Sequence, residues 1–361
     1  MRAGATNHRR GVSLIELLVV VAIFAMIAVT VLPNIAATAE SRRSREAARM
    51  LTSFIAKAQS RALGRREWSG FMLVATNTAS SYAAADLFLA DVPPVYRGDT
   101  VPALLTISGT ASTSRFASWS GGALESGSAA GVRAGDLIRF QERNPWFEVS
   151  GTLSPVASGS FSFRIRGGTS SAAGDAGQQP HNTPWPPNNQ SMTFEILRQP
   201  VAGGAPFSLP ESRIIDLYWS GYGPPYVGAN TSTFQRFPQV TSGGAAVNVA
   251  ALFDGTGRLR QIITTGTSAG LTSRLAVTGP VFLLLGRSDR VGQTNPNSFN
   301  PADETSGCNW QYPDSYWIGI DPFTGVAKSA ECKPNAVGST DIEKLIDSQD
   351  WIRELLLTGG N

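Results

Sequence analysis

The sequence contains few of the residues on which metal and redox chemistry depend. Its 361 residues include 2 cysteines and 2 histidines, and 16% of them are charged. No histidine or further cysteine lies near Cys308 or Cys332, which excludes a Cys/His zinc site there. The low charge excludes a coiled coil, and no glycine pattern of the G-x-x-x-x-G-K-[ST] kind is present to bind phosphate. The carboxylates are scattered, without a pair at a spacing that acid–base catalysis requires, so we expect no enzyme.

Positive charge is concentrated in two parts of the chain. The first eleven residues hold Arg2, Arg9 and Arg10 without an acid, and these three account for the formal net charge of +3. Residues 42–66 hold eight basic residues against Glu46 alone. A basic helix beside a neutral body suits phosphate, lipid headgroups or an acidic neighbouring subunit, although a solvated face is the simplest explanation. We expect no nucleic-acid partner.

A long apolar run follows the basic N-terminus. From Val12 to Leu32 the polar residues are Ser13, Glu16 and Thr30, and a helix of this length spans about 31 Å, the thickness of a bilayer's hydrocarbon core. Basic residues before the run place the N-terminus in the cytoplasm and the rest of the chain on the far side of the membrane. The sequence therefore predicts a single-pass helix in a bacterial inner membrane and an exported body.

A secretory signal peptide is the alternative explanation of this run. Ala37-Thr38-Ala39 would be its A-x-A cleavage site, and the mature chain would then begin at Glu40. Against this stands Glu16, because a carboxylate in an apolar membrane segment costs about 2.5–3.5 kcal/mol and is rarely found there without a partner. A simple export signal gains nothing from such a residue.

The segment Gly11-Val12-Ser13-Leu14-Ile15-Glu16-Leu17-Leu18-Val19-Val20 resembles the processing motif of type IV prepilins and type II secretion pseudopilins. The resemblance implies that prepilin peptidase cuts after Gly11 and that the new N-terminal residue, Val12, is methylated. It also implies that Glu16 pairs with the N-terminal amine of an adjacent subunit and so sets the register of a filament. Pro33 falls where this family often has a helix-kinking proline. Val12 departs from the phenylalanine that the family most often has.

The remaining pattern predicts an α+β, pilin-like fold with three parts: a leader at 1–11, a helix at 12–66, and an antiparallel β-rich body at 67–361 with a short C-terminal helix. Apolar residues at helical spacing predict the face that packs on the body: Ala47, Leu51, Phe54, Ile55, Ala58 and Ala62. Gly64 is the expected end of this helix. Residues 118–131, 167–190 and 294–304 lack apolar periodicity and are expected to be flexible insertions.

Twelve stretches have the composition of strands, and two turn signals join four of them into hairpins. The expected strands are Phe71–Ala75, Leu87–Val92, Leu104–Ser108, Asp136–Gln141, Trp146–Ser150, Phe161–Ile165, Met192–Leu197, Ile214–Trp219, Val249–Phe253 and Leu259–Thr265, with a further pair at Trp317–Ile320 and Val326–Ser329. The turns are Asp254-Gly255-Thr256-Gly257 and Asp321-Pro322-Phe323-Thr324-Gly325. Residues 213–221 and 251–259 loosely resemble the secretion-pathway protein H and FimT-like pseudopilins. Asp341–Leu357 is expected to form the C-terminal helix.

Three further features suggest chemistry, each with a simpler explanation. In an oxidising compartment Cys308 and Cys332 would form a disulfide, worth about 3 kcal/mol for a loop of this size. Ser268 lies in a G-x-S-x-G pattern, but His181 precedes it and no helical pattern follows, so a turn is the better explanation. We expect no cofactor. The most that the loop acids would allow is a calcium loop, and they lack the regular ligand spacing of an EF-hand: Asp303, Glu304, Asp314 and Asp321.

These observations predict a structural subunit of a type II secretion or type IV pilus-like filament. Its partners would be prepilin peptidase, the inner membrane and other subunits, which it contacts through its N-terminal helix, and its final location a periplasmic or surface filament. A secreted hydrolase that uses Ser268 and a membrane-anchored or secreted β-rich adhesin are the alternatives from other classes.

Overall fold

The computed structural model describes residues 14–75, 82–109, 114–119, 132–141, 145–150, 159–165, 185–223, 234–237, 248–265, 272–293, 295–300, 303, 306–334, 336–338 and 340–358, without the side chains of 28–39. The described chain is an α+β structure, with a long N-terminal helix and a large antiparallel β-rich body, which confirms the predicted class in this general form. Its helices are α1 (Leu14–Arg65), α2 (Asp341–Ser348) and α3 (Asp350–Leu357).

The strands, in chain order, are β1 (Ser69–Val74), β2 (Ala83–Ala84), β3 (Asp86–Asp91), β4 (Leu105–Ser108), β5 (Ser114–Trp119), β6 (Leu137–Phe140), β7 (Phe147–Ser150), β8 (Gly159–Ile165), β9 (Ser191–Met192), β10 (Phe194–Leu197), β11 (Val201–Ser208), β12 (Arg213–Tyr222), β13 (Gln235–Arg236), β14 (Asn248–Phe253), β15 (Leu259–Thr265), β16 (Thr272–Ala276), β17 (Val281–Arg287), β18 (Tyr316–Ile320) and β19 (Ala327–Glu331). Sheet A has the order β11-β3-β1-β14-β15-β16. Sheet B has the order β13-β12-β17-β18-β19, with β2 paired to β12, and sheet C has the order β10-β6-β7-β8-β5-β4-β9. Each expected strand overlaps with an observed one.

The C-terminal half of α1 packs against sheets A and B around one hydrophobic core. The predicted stripe is buried throughout, with Leu51, Ile55 and Ala58 fully inaccessible to solvent. The opposing side chains come from alternate positions of the strands, such as Phe71 of β1 and Ile318 of β18. Helical spacing in the sequence was therefore sufficient to identify the face of α1 that carries the body.

The end of α1 differs slightly from the prediction. Gly64 is still helical, and the helix continues to Arg65. Arg66 follows in a left-handed conformation, with φ of 56°, so a non-glycine residue makes the turn that glycine was expected to make.

Sheet C is built from one continuous stretch of chain inserted into sheet A. The stretch leaves sheet A at the end of β3 and returns at the start of β11, and Asp91 and Val201 are directly paired across these two strands. Sheet C encloses its own hydrophobic cluster, which includes Phe147, Phe163 and Ile196. The body therefore has two sheets that hold α1 and a third with a separate core.

Two expectations about local structure were wrong. The insertion at 118–131 was expected to be flexible from its first residue, but Ser118 and Trp119 belong to β5, where they pair with β8 and Trp119 is buried. The C-terminal segment forms two short helices rather than one. They are separated at Gln349, whose backbone N–H donates to the carbonyl of Ile346, three residues back, at 3.0 Å.

Candidate functional site

The N-terminal part of α1 presents an apolar surface on all sides. From Leu14 to Ile27 the large apolar side chains are between 45% exposed, at Val20, and 80% exposed, at Leu14. Single exposed apolar residues are ordinary, but a contiguous apolar surface of this kind marks a membrane or protein contact. This segment is therefore built for contact with an apolar partner.

Glu16 is the only charged residue within this apolar segment and lies in the first turn of α1, where its side chain is exposed. A carboxylate at a helix N-terminus is favoured by the helix dipole, yet in an apolar surrounding it also needs a cation. Pro33 lies farther along α1, and its side chain is outside the described part of the structure, as are Gly11 and Val12 entirely. The structure therefore places Glu16 on the apolar surface and leaves the predicted cleavage position undescribed.

Two polar contacts fix α1 to the body where the apolar segment ends. The buried guanidinium of Arg213, at the start of β12, pairs with the carboxylate of Glu40 and donates to the backbone carbonyl of the same residue at 3.1 Å. Asp314 lies 3.8 Å from the other side of this guanidinium. Burial lowers the pKa of Arg213, which the two carboxylates partly offset. Residues 37–40 lie within the continuous helix rather than in an exposed loop, where proteolysis concentrates.

Near its other end, α1 is tied to both predicted hairpins through Gln59. The side-chain amide donates to the carbonyl of Gly257 at 3.0 Å and to the carbonyl of Thr324 at 2.6 Å. A Cβ at Gly325 would lie 2.0 Å from the carbonyl oxygen of Gly257, so the two turns meet closely under the helix. This contact holds sheets A and B together on α1.

Sequence reasoning found the apolar residues of α1 but missed these polar contacts. Arg213 is separated from Glu40 by 173 residues, and Gln59 from Thr324 by 265. No local pattern connects such pairs. An arginine at the start of a strongly apolar strand was the available signal, because a buried charge is rarely found without a partner.

Cys308 and Cys332 are free thiols in the structure, so the predicted disulfide is not formed in it. Both are buried in one cluster with Trp219, Trp310 and Trp317 on the face of sheet B away from α1. Cys308 Sγ lies 3.2 Å from the carbonyl oxygen of Gln293. Burial raises the pKa of both thiols, which keeps them protonated and unreactive.

The acids considered for a calcium loop have other partners where they are described. Asp314 pairs with Arg290 at 2.8 Å, and Asp321 accepts hydrogen bonds from the backbone N–H of Phe323 and the hydroxyl of Thr324 in its own turn. Within the described ranges, no group of three or more His, Cys, Asp or Glu side chains is placed to hold a metal ion.

Three other predicted positions lie outside the described residues, namely Glu304, His181 and Ser268.

Within the described part of the chain, no helix has both the length and the hydropathy required to span a membrane.

Comparison with known proteins identifies the N-terminal segment. The family model described as the prokaryotic N-terminal methylation motif matches residues 6–32, which confirms the type IV prepilin-like signal. This signal implies processing by prepilin peptidase, assembly with other pilin subunits and a location at the membrane or in the cell envelope. No curated protein matches the sequence. Among solved structures, the chain is similar to the phage phi92 endosialidase at 10% identity, with a TM-score of 0.19, over 70% of this chain and 44% of that one. The chain thus spans less than half of that protein, and a likeness this distant carries no functional argument.

Proposed function

We propose that this chain is a pseudopilin or minor pilin, a structural subunit of a type II secretion or type IV pilus-like filament. The observation that carries the proposal is the coincidence of two features in one segment. The methylation motif covers residues 6–32, and the described part of that segment is a helix whose apolar side chains are exposed all round.

In this proposal prepilin peptidase cleaves after Gly11, and Val12 becomes the methylated N-terminus. Before cleavage, the basic leader stays in the cytoplasm and the apolar segment holds the chain as a single-pass protein of the inner membrane, with the body in the periplasm. After cleavage, α1 moves from lipid into a bundle of neighbouring helices, which bury the same apolar surface. The chain has no catalytic role.

Glu16 gives this assembly its register. Its carboxylate is stabilised in the apolar bundle when it pairs with the Val12 amine of the adjacent subunit, and other axial positions leave the charge without a partner. The globular body must also keep a fixed position relative to the helix. The contacts of Glu40 and Gln59 with the body provide this connection.

The test is the mature N-terminus, measured by mass spectrometry on protein from cells that have prepilin peptidase, together with the amount of the chain in sheared filaments. We expect N-methylated Val12, and we expect Glu16→Ala to be processed normally but lost from filaments. Glu46→Ala is the matched control, since Glu46 is an exposed acid of α1 outside the apolar segment. Its incorporation should be unchanged.

A mature chain that begins at Glu40 would refute the proposal and favour the secreted adhesin. Equal incorporation of the Glu16 and Glu46 variants would show that Glu16 does not set register.

A further inference from the structure

A groove runs along the exposed side of α1 where the helix passes the edge of sheet A. Its volume is about 690 Å³, and its walls are one face of α1 and the Gly203–Phe207 part of the edge strand β11. The floor is apolar, with the rings of Phe54 and Phe207 stacked 4.8 Å apart and Leu89 and Met50 beside them. A groove of this composition suits a partner that brings apolar side chains.

The rim of the groove is positively charged. Arg49 and Lys57 stand two helical turns apart on α1, with Ser53 between them, and all three are exposed. Among the described residues neither cation has an ion-pair partner. The nearby carboxylate of Asp91 is already held by two arginines of α1, at 2.8 and 3.3 Å. The groove therefore selects an occupant with negative charge as well as apolar surface.

The edge of β11 is unsuited to adding another strand. The pairing of β11 with β3 has an irregularity between Gly203 and Phe207. Pro206 lies in the same stretch and has no backbone N–H to offer. Bulges and prolines are the features by which edge strands resist strand addition. The occupant must therefore use side chains, as a helix face does.

A helix face of the required chemistry lies elsewhere on the same chain. On α3, Trp351 is 43% exposed, and Glu354 and Leu355, which follow at helical spacing on the same side, are also exposed. Glu354 has no ion-pair partner in the described part of the chain. Ile352 packs against sheet B on the inner side of this helix. The outer face of α3 thus joins an aromatic ring, an apolar side chain and an available carboxylate.

One chain cannot bring these two surfaces together. In β18, Ile318 faces the core that holds α1, whereas Trp317 faces the cluster that holds α3. The groove and the outer face of α3 therefore lie on opposite sides of sheet B. A contact between different patches of two copies is heterologous, and repetition of such a contact produces a ring or an open filament.

We propose that the groove binds the outer face of α3 from a second copy of this chain, with Glu354 between Arg49 and Lys57. The inference deepens the proposed function and rests on it, because it adds a contact between globular bodies to the assembly through α1. In this arrangement the globular bodies of successive copies contact each other along the filament axis, in addition to the helices.

Mixed-isotope photo-crosslinking tests the contact directly. Full-length chain with benzoylphenylalanine at position 53 is mixed in detergent with ¹⁵N-labelled chain that lacks the probe, irradiated and digested. We expect a crosslinked peptide that joins an unlabelled α1 to a labelled α3 at or next to Trp351. No crosslink between copies, or one that maps away from α3, would overturn the proposal.

Charge reversal provides the second test. Lys57→Glu and Glu354→Lys should each lower the yield of this crosslink about tenfold, and the two changes on partner copies should restore most of it. Arg42→Glu and Glu211→Lys are the matched controls, since both are exposed residues that neither line the groove nor belong to α3, and neither should change the yield. A loss with no recovery in the paired variants would also overturn the proposal.

The two proposals fail separately. A methylated Val12 with no crosslink to α3 leaves the filament subunit standing and removes the contact between bodies. A mature chain that begins at Glu40 but still crosslinks through α3 removes the filament assignment and leaves a self-associating secreted protein.

Discussion

Asp216 is a buried carboxyl whose ionisation should lower the stability of the protein at neutral pH. It lies in β12 with no exposed surface, and burial raises its pKa from 3.8 to about 6. Its described partners are neutral donors, the side-chain amide of Asn309 at 3.1 Å and the backbone N–H of Tyr218 at 3.1 Å. These hydrogen bonds favour the charged form but do not offset the loss of hydration.

The sign of the effect follows from proton binding. Between pH 3.8 and about 6 the folded state holds a proton that the unfolded state has lost, so stability falls as pH rises through this window. The pKa of Asp216 differs by about 2 between the folded and the unfolded state. Because one pKa unit corresponds to about 1.4 kcal/mol, this difference corresponds to about 3 kcal/mol of stability. That contribution is complete below pH 3.8 and absent above the folded pKa.

Asp216→Asn removes the titration, so its stability relative to the native chain should rise by about 3 kcal/mol between pH 4 and pH 7. Urea unfolding of the full-length chain in detergent, followed by tryptophan fluorescence, measures this, because Trp219 and Trp310 lie in the adjacent cluster. Asp254→Asn is the control. Hydrogen bonds from Thr256 and neighbouring donors lower the pKa of Asp254 to about 2, so this variant should show no slope above pH 4. A flat difference for Asp216→Asn over this range would refute the reasoning.

Other predictions concern the cluster that contains both cysteines, the packing of the sheets and the docking of α1. Cys308 and Cys332 should resist iodoacetamide in the folded chain at pH 8 and react once it is unfolded without reductant, whereas a requirement for reductant would reveal a disulfide. Gly70→Ala should lower the free energy of unfolding by about 1–3 kcal/mol in thermal unfolding, because the added Cβ would lie 1.9 Å from a carbonyl oxygen of β14. Gly64→Ala should raise it by about 0.5–1 kcal/mol, because Gly64 is helical and no atom lies within 4 Å of the added Cβ. Gln59→Ala leaves two hairpin carbonyls without this donor and should cost about 1–2 kcal/mol in urea unfolding, and an unchanged midpoint would contradict the role given to that contact.

Local signals in the sequence were sufficient for the elements that depend on local chemistry. The stripe on α1 follows from helical spacing, and the Asp254–Gly257 turn from residues that tolerate positive φ, as Gly257 does at 79°. In both cases the residues that determine the structure lie within a few positions of one another.

Six of the observed strands, β2, β5, β11, β13, β16 and β17, overlap with no expected strand. For two of them, β17 and β11, the reason is that tertiary contacts outweigh the local pattern. Val281–Arg287 forms the centre of sheet B between β12 and β18, and since both of its faces are buried it has no alternation to recognise. Val201–Ser208 contains glycines and a proline and has the composition of a loop. It is a strand because β3 provides a partner for its backbone.

The candidate site likewise contains residues that a local sequence pattern reveals and residues that only the fold reveals. Glu16 is visible in the sequence because a charge interrupts an apolar run. Arg213 and its contact with Glu40 depend on a fold that brings together residues 173 positions apart, so no pattern in either segment reveals the pair. The face of α3 was predicted as part of a helix, but its exposure depends on which side packs against sheet B.

The arrangement of the cores separates what the subunit must preserve from what it is free to vary. α1 is held by sheets A and B, and its polar contacts at Glu40, at Gln59 and with Asp91 reach those sheets or their turns. Sheet C has its own core, and the stretch of chain that forms it leaves and re-enters sheet A beside the paired residues Asp91 and Val201, a spacing that a short turn would also close. We therefore expect changes in the core of sheet C to leave the docking of α1, the groove and the outer face of α3 intact. If the chain is the filament subunit proposed above, assembly requires the first set to be constant, and an inserted sheet with a separate core allows the rest of the body to differ.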